Sequence, residues 1–243
     1  MGLAEDLRRL WLQSVLLSDT YIGREKSARV FQYAARMLYG ITDWDLFGNL
    51  LRTLALSRKT LRFYKPVKAV KRILDLKRDQ HIDKLDRDLT IAEVGSDAIY
   101  ALIDHVTFVQ RIGGMKWMSQ HQADTLDRVL EVFWFTEIVP VIWRETRKLF
   151  NLRRRARELD AKALEDKPGT ATPTSASIAA AAKQAKILLF KAVVCDLPCS
   201  FYFMLPVAFK NQRINRTWCG FLGVVASVIS LQQNWPKDKV KEA

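Results

Sequence analysis

Nucleophiles and acid–base groups are sparse in this chain and poorly spaced for catalysis. Its three cysteines, Cys195, Cys199 and Cys219, all lie in apolar surroundings near the C-terminus. Cys195 and Cys199 share a helical face, but no histidine accompanies them, so they read as packing thiols rather than a nucleophile. His81, His105 and His121 stand far apart, and none has metal-ligand spacing to a cysteine. Asp104 and His105 are neighbours, yet adjacent helical residues point apart. Glu25 and Asp196 read as ion-paired or capping carboxylates. Neither a P-loop nor a G-x-G-x-x-G fingerprint occurs. The expectation is a protein that is not an enzyme and takes neither cofactor nor metal.

The side chains that remain are cations, and their chemistry is attraction to an anion. The 243 residues carry a net charge of +13. A balance that basic implies nucleic acid or membrane headgroups as partner. The cations concentrate in one stretch, which holds nine Lys/Arg from Ser57 to Arg78. Wound as a helix, Leu50, Leu54, Leu61 and Tyr64 form an apolar face. Arg58, Arg62 and Lys65 flank it, and Lys59 lies opposite. Pro66 interrupts the pattern, because it lacks an N–H and crowds the preceding turn. A second piece follows, with Val67, Val70 and Leu74 on one side and Lys68, Lys71 and Arg72 on the other. An apolar stripe with basic flanks fits a helix lying on an anionic surface. The expected membrane-surface contacts are therefore Arg58, Lys59, Arg62, Lys65, Lys68, Lys71 and Arg72. The expected inserting face is Leu50, Leu54, Leu61, Tyr64, Val67, Val70 and Leu74, with a bend at Pro66 so that both pieces enter one leaflet.

The elements that position this stretch are helices. Glycine and proline are scarce and alternating β-branched runs are absent, which favours an all-α chain. Residues 3–17 and 20–39 read as amphipathic helices, the second with Phe31 and Leu38 on its apolar face and Gly40 as its C-cap. Thr42-Asp43 resemble a cap for the next helix. Residues 77–92 are charged and read as a turn or polar helix. Over 97–115, Asp97, Tyr100, Asp104, Thr107 and Arg111 form one polar stripe facing protein, water or headgroups, with Asp104 and Arg111 as a candidate pair. Gly113-Gly114 ends that helix. Residues 125–150 hold an aromatic helix around Pro140, running into a second basic cluster.

Three regions result: basic amphipathic helices over 1–158, a low-complexity linker over 159–183, and a C-terminal apolar module over 184–243. From Thr217 to Pro236 there is no charge, and Trp218 and Trp235 bracket roughly 27 Å of helix, near the thickness of a hydrocarbon core. Cys219, Gly223 and Ser227 place small residues at four-residue spacing for close helix packing. Residues 187–209 are long enough to span but carry Lys191 and Asp196. A membrane-embedded hairpin joined by the basic loop 210–216 is expected; a buried hairpin of a soluble protein is the competing reading. Nucleic acid is not expected, because the basic stretch carries no recognition motif.

The segments GREKSARVFQYAARML (23–38), LALSRKTLRFYKPVKAV (54–70) and IYALIDHVTFVQRIGGM (99–115) resemble, in order and spacing, the peroxisomal biogenesis factor 11 family. So does the end of the chain, with Asp196-Leu197-Pro198 and Gly220/Gly223. The resemblance implies an integral protein of the peroxisomal (or glycosomal) membrane that remodels and elongates it before division. It also implies self-association into homo-oligomers, with dynamin-type fission machinery following. A pore or carrier for small metabolites is the alternative it carries. The Pro66 break and the 159–183 segment depart from the family's pattern.

Overall fold

The computed structural model describes residues 3–112, 118–165, 173–205 and 213–236. All of its regular structure is helical, so the all-α expectation holds among the described residues. The helices are α1 (Leu3–Asp19), α2 (Tyr21–Thr42), α3 (Asp45–Leu61), α4 (Lys65–Arg78), α5 (Lys84–Arg111), α6 (Gln120–Glu165), α7 (Pro173–Phe190), α8 (Leu197–Met204) and α9 (Arg213–Gln233). A π-helical turn, Lys191–Asp196, joins α7 to α8.

Local chemistry accounts for the boundaries. Thr20 caps α2, its Oγ1 accepting the N–H of Gly23 at 2.9 Å. Gly40 does not end α2: the helix runs to Thr42, and Asp43 closes it in the left-handed region at φ 55°. Gly40 serves instead as a point of close approach: the backbone N of Thr217 lies 2.7 Å from where a Cβ would stand. Asp43 therefore ends one helix rather than starting the next, and the N-cap of α3 is Trp44. The break before Pro66 is real. The helix opens at Arg62–Tyr64, and Pro66 sits in the first turn of α4, where its missing N–H costs nothing. Gly113-Gly114 lie outside the described residues.

The bundle has two halves. In one, α2 lies between α9 and α3; in the other, α5 pairs with both α4 and α6. Helix α6 also contacts α7 and α8. The α2–α9 contact is close because its residues are small. Gly220 faces the Met37 backbone and Gly223 faces the Tyr33 ring, while Ala226, Ser227 and Ser230 are buried. A buried cluster of Tyr33, Cys199, Tyr202 and Cys219 fastens α2, α8 and α9 together. The three cysteines are free and buried, in keeping with packing thiols.

The segment read as a linker is mostly helix. α6 continues to Glu165 and α7 begins at Pro173, since alanine is the best helix former; residues 166–172 lie outside the described set. Among the described residues, one helix is long and apolar enough to cross a membrane, Ala176–Met204, and it begins within that segment. α9 does not meet the same measure, and the residues between Leu205 and Arg213 are outside the described set.

Candidate functional site

The basic stretch divides into an inward half and an outward half. At the end of α3 the cations turn into the protein, against carboxylates on α2 and α5. Arg58 donates to Glu25 at 2.9 Å and to the Gln32 side-chain oxygen. Arg62 donates to Glu25 at 3.2 Å and to Asp104 at 3.3 Å, and lies over the Tyr100 ring. Lys59 pairs with Asp104 at 2.8 Å and donates to Thr107 at 2.9 Å. Lys65, opening α4, pairs with Asp97.

Arg58, Lys59 and Arg62 are thus not surface contacts; Arg58 keeps only 6% of its area exposed. Two buried carboxylates, Glu25 and Asp104, draw them in, because a cation removed from water must find its partner in the interior. The Asp104–Arg111 pair is not formed either. Asp104 is taken by α3's cations, and Arg111 pairs with Asp127 on α6. The polar stripe on α5 is the complement of the basic helix.

Electrostatics follow from that packing. Burial opposes the charge on Glu25, but Lys26, Arg62 and Arg58 outweigh it and hold the carboxyl well below the usual carboxylate range. Burial and Arg62 press Arg58 down to about 10. Burial opposes the charge on Arg62 too, yet Glu25, Tyr100 and Asp104 raise it. Lys26, half-buried, falls to about 8 through desolvation and then the charge of Arg29, against Glu25, which raises it. Glu137 on α6 rises to about 7, through burial and then the charge of Asp97.

These side chains line a cavity of about 490 Å³ between α2, α3, α5 and α6. Nine Lys/Arg and seven Asp/Glu face it. Among the described residues, no group of three His, Cys, Asp or Glu is arranged to hold a metal.

The outward half is apolar. Tyr64 is 70% and Val67 68% exposed, and Phe63, Val70 and Leu74 are also outside, as is Leu50 on α3. Leu54 and Leu61 are half-buried. Helix α4 has a second apolar side: Ala69 is buried, and Ile73 and Leu76, half-buried, share its face as the helix packs on α5. Lys71 and Arg72 are exposed, and Lys68 lies 4.6 Å from the centre of the Tyr21 ring.

Sequence reading missed Glu25, Gln32, Asp104 and Thr107 as partners of the basic stretch. The signal was present. Arg58, Arg62 and Lys65 recur at i, i+4 and i+7, which is core spacing, and Asp97 and Asp104 recur at seven on α5.

The fold and these two faces define a class: an all-α protein whose charges are paired inward while large apolar side chains remain outside. A model of the peroxisomal biogenesis factor 11 family matches residues 13–235, and the chain belongs to that family. It is accordingly a peroxisome biogenesis factor associated with the peroxisomal membrane. No curated protein and no solved structure matches the chain.

Proposed function

We propose that this protein remodels and elongates the peroxisomal membrane by laying the outward stripe of α4 into one leaflet, promoting proliferation and fission. The observation that carries the reading is the stripe itself. Phe63, Tyr64, Val67, Val70 and Leu74 are exposed together, with Lys68, Lys71 and Arg72 beside them. Large apolar side chains held in water are unfavourable by about 1.5–3 kcal/mol each relative to burial, so such a stripe gains by entering lipid. Adjacent cations add about 1 kcal/mol each at an anionic surface. A helix wedged into one leaflet enlarges it and bends the bilayer.

Ala176–Met204 serves as the integral anchor in this reading, and Lys191 pairs with Asp196 inside it at 2.6 Å, which lowers the cost of both charges in lipid. Self-association concentrates the wedges, and dynamin-type machinery completes fission. A conducting path along Asp97, Asp104 and Arg111 has less support, because each of these is already ion-paired.

The test reconstitutes the full chain with anionic vesicles and images them. The protein should draw tubules, and Val67→Asp with Val70→Asp should abolish them while the melting curve is unchanged. Tubulation by the double variant equal to that of the parent would sink the reading. Alkaline carbonate extraction tests the anchor: an integral protein stays in the pellet.

A further inference from the structure

The cavity has one end that the ion-pair cluster does not account for. Glu25, Asp104, Asp97 and Asp127 are each matched to cations of α3, α4 or α5. On the α2 wall, two turns of helix carry Arg29, Tyr33 and Arg36 on one face. The two guanidinium groups bracket the Tyr33 ring, at 5.6 and 5.9 Å from its centre. Trp134 of α6 and Phe203 of α8 complete the wall, their rings 5.9 Å apart. Arg29 has a carboxylate, Asp196, at 3.3 Å. Arg36 enters no ion pair among the described residues; it hydrogen-bonds the Tyr202 hydroxyl and lies against Phe203, 4.6 Å from the ring centre. The Nε of Arg29, of Arg36 and of Arg58 is buried without a protein acceptor. Burying guanidinium groups with unused donors is unfavourable unless an anion joins them.

The charge count points the same way. The lining holds nine Lys/Arg against seven Asp/Glu, so its balance favours an anion. The volume suits a small molecule. Guanidinium forks match the planar edges of oxyanions, and aromatic walls accept a carbon skeleton.

We propose that this end of the cavity binds a phosphate monoester, with Arg36 and Arg29 on the phosphate and Tyr33, Trp134 and Phe203 against its organic part. A phosphate monoester carries close to two negative charges at neutral pH. The same chemistry occurs as a soluble phosphorylated metabolite and as the headgroup of phosphatidic acid. Binding of either kind is independent of whether α4 bends membranes.

The experiment titrates the full chain, in neutral detergent micelles, with glycerol phosphate by calorimetry. Saturable one-to-one binding is expected. Arg36→Gln should weaken it by about tenfold or more, the loss of one charge-assisted contact, and Arg36→Lys should restore much of it. Competition by dioctanoyl phosphatidic acid at lower concentration assigns the lipid source; its failure to compete assigns the soluble one. A thermal melt checks that both variants are folded. Absence of saturable binding overturns the proposal. So does parent-like affinity in Arg36→Gln, or binding lost in Lys71→Gln/Arg72→Gln instead, which would place the anion on the outer surface.

Discussion

Arg62 brings Nη2 to 3.2 Å and Nε to 3.3 Å from one carboxylate oxygen of Glu25. The two residues stand in the turn after α3 and in the first half of α2, and Arg62 reaches Asp104 of α5 with its remaining nitrogen at 3.3 Å. Three helices are thus joined through one guanidinium. Removing the carboxylate leaves Arg58 with no carboxylate partner, only the Gln32 side-chain oxygen, and leaves Arg62 with Asp104 as its one carboxylate. Glu25→Ala should destabilise the protein by about 3–5 kcal/mol, the cost of leaving a buried charge uncompensated. The effect should be smaller in an Arg62→Ala background, and a double-mutant cycle by urea unfolding measures the difference. Because the Glu25 carboxyl is held below its ordinary 4.5, its contribution is complete above that pH and is lost as pH falls further.

The contact between α2 and α9 depends on missing side chains. A Cβ on Gly220 would stand 2.6 Å from the Met37 Cα, and one on Gly223 would enter the Tyr33 ring. Neither obstacle is a flexible tip. Gly220→Ala and Gly223→Ala should each destabilise by about 1–3 kcal/mol or more through overpacking. Gly95 in α5 has nothing within 4 Å of its Cβ position. Gly95→Ala should stabilise by about 0.5–1 kcal/mol through helix propensity alone. Thermal midpoints of the three variants check the contrast in sign.

Helices are legible here because periodicity is a local property. Hence the all-α class, the break before Pro66 and the small-residue face of α9 all follow from the chain. The partner of a charge is not local. Arg58 and Lys71 look alike in sequence, and both sit beside apolar residues. Only the position of Glu25, more than 30 residues away along the chain, separates a buried cation from a surface one. The same limit misplaced Asp104, whose nearest opposite charge along its own helix is Arg111 and whose actual partners are Lys59 and Arg62. The 159–183 segment shows a different limit: a run of small residues cannot make a core, yet alanine holds a helix without one, as at the end of α6 and the start of α7.

Glu137 makes stability depend on pH in a direction opposite to Glu25. Burial and the neighbouring Asp97 raise its carboxyl to about 7, against Lys65 and Lys191, which lower it, with Glu93 adding to the rise. A carboxyl raised on folding stabilises the native state most when protonated. Its contribution is complete below the ordinary 4.5 and disappears as pH climbs through 7. Glu137→Gln should keep that contribution at all pH. The variant should exceed the parent by roughly 1–2 kcal/mol at about pH 8, after allowance for screening, and match it at about pH 5. Urea midpoints at the two pH values decide it, and an equal gap at both would refute the assignment.

Charge reversal should separate the two halves of the basic stretch. Lys68, Lys71 and Arg72 stand exposed on the outside of α4, Lys68 with its ammonium over the Tyr21 ring and the other two facing solvent or headgroups. Reversing all three to Glu removes about 1 kcal/mol of attraction per cation, so preference for anionic over neutral vesicles should fall on the order of a hundredfold. Helicity and the melting midpoint should not change, since none of the three is buried. Arg58 and Arg62 are held by Glu25 and Asp104 instead. Arg58→Glu with Arg62→Glu sets four carboxylates against one another in the interior, so cooperative melting should be lost before any effect on lipid preference can be read. Circular dichroism and vesicle flotation on the same samples distinguish these outcomes. An Arg58→Glu/Arg62→Glu protein that melts like the parent but no longer prefers anionic vesicles would return those two residues to the surface and break the cluster that organises α2, α3 and α5.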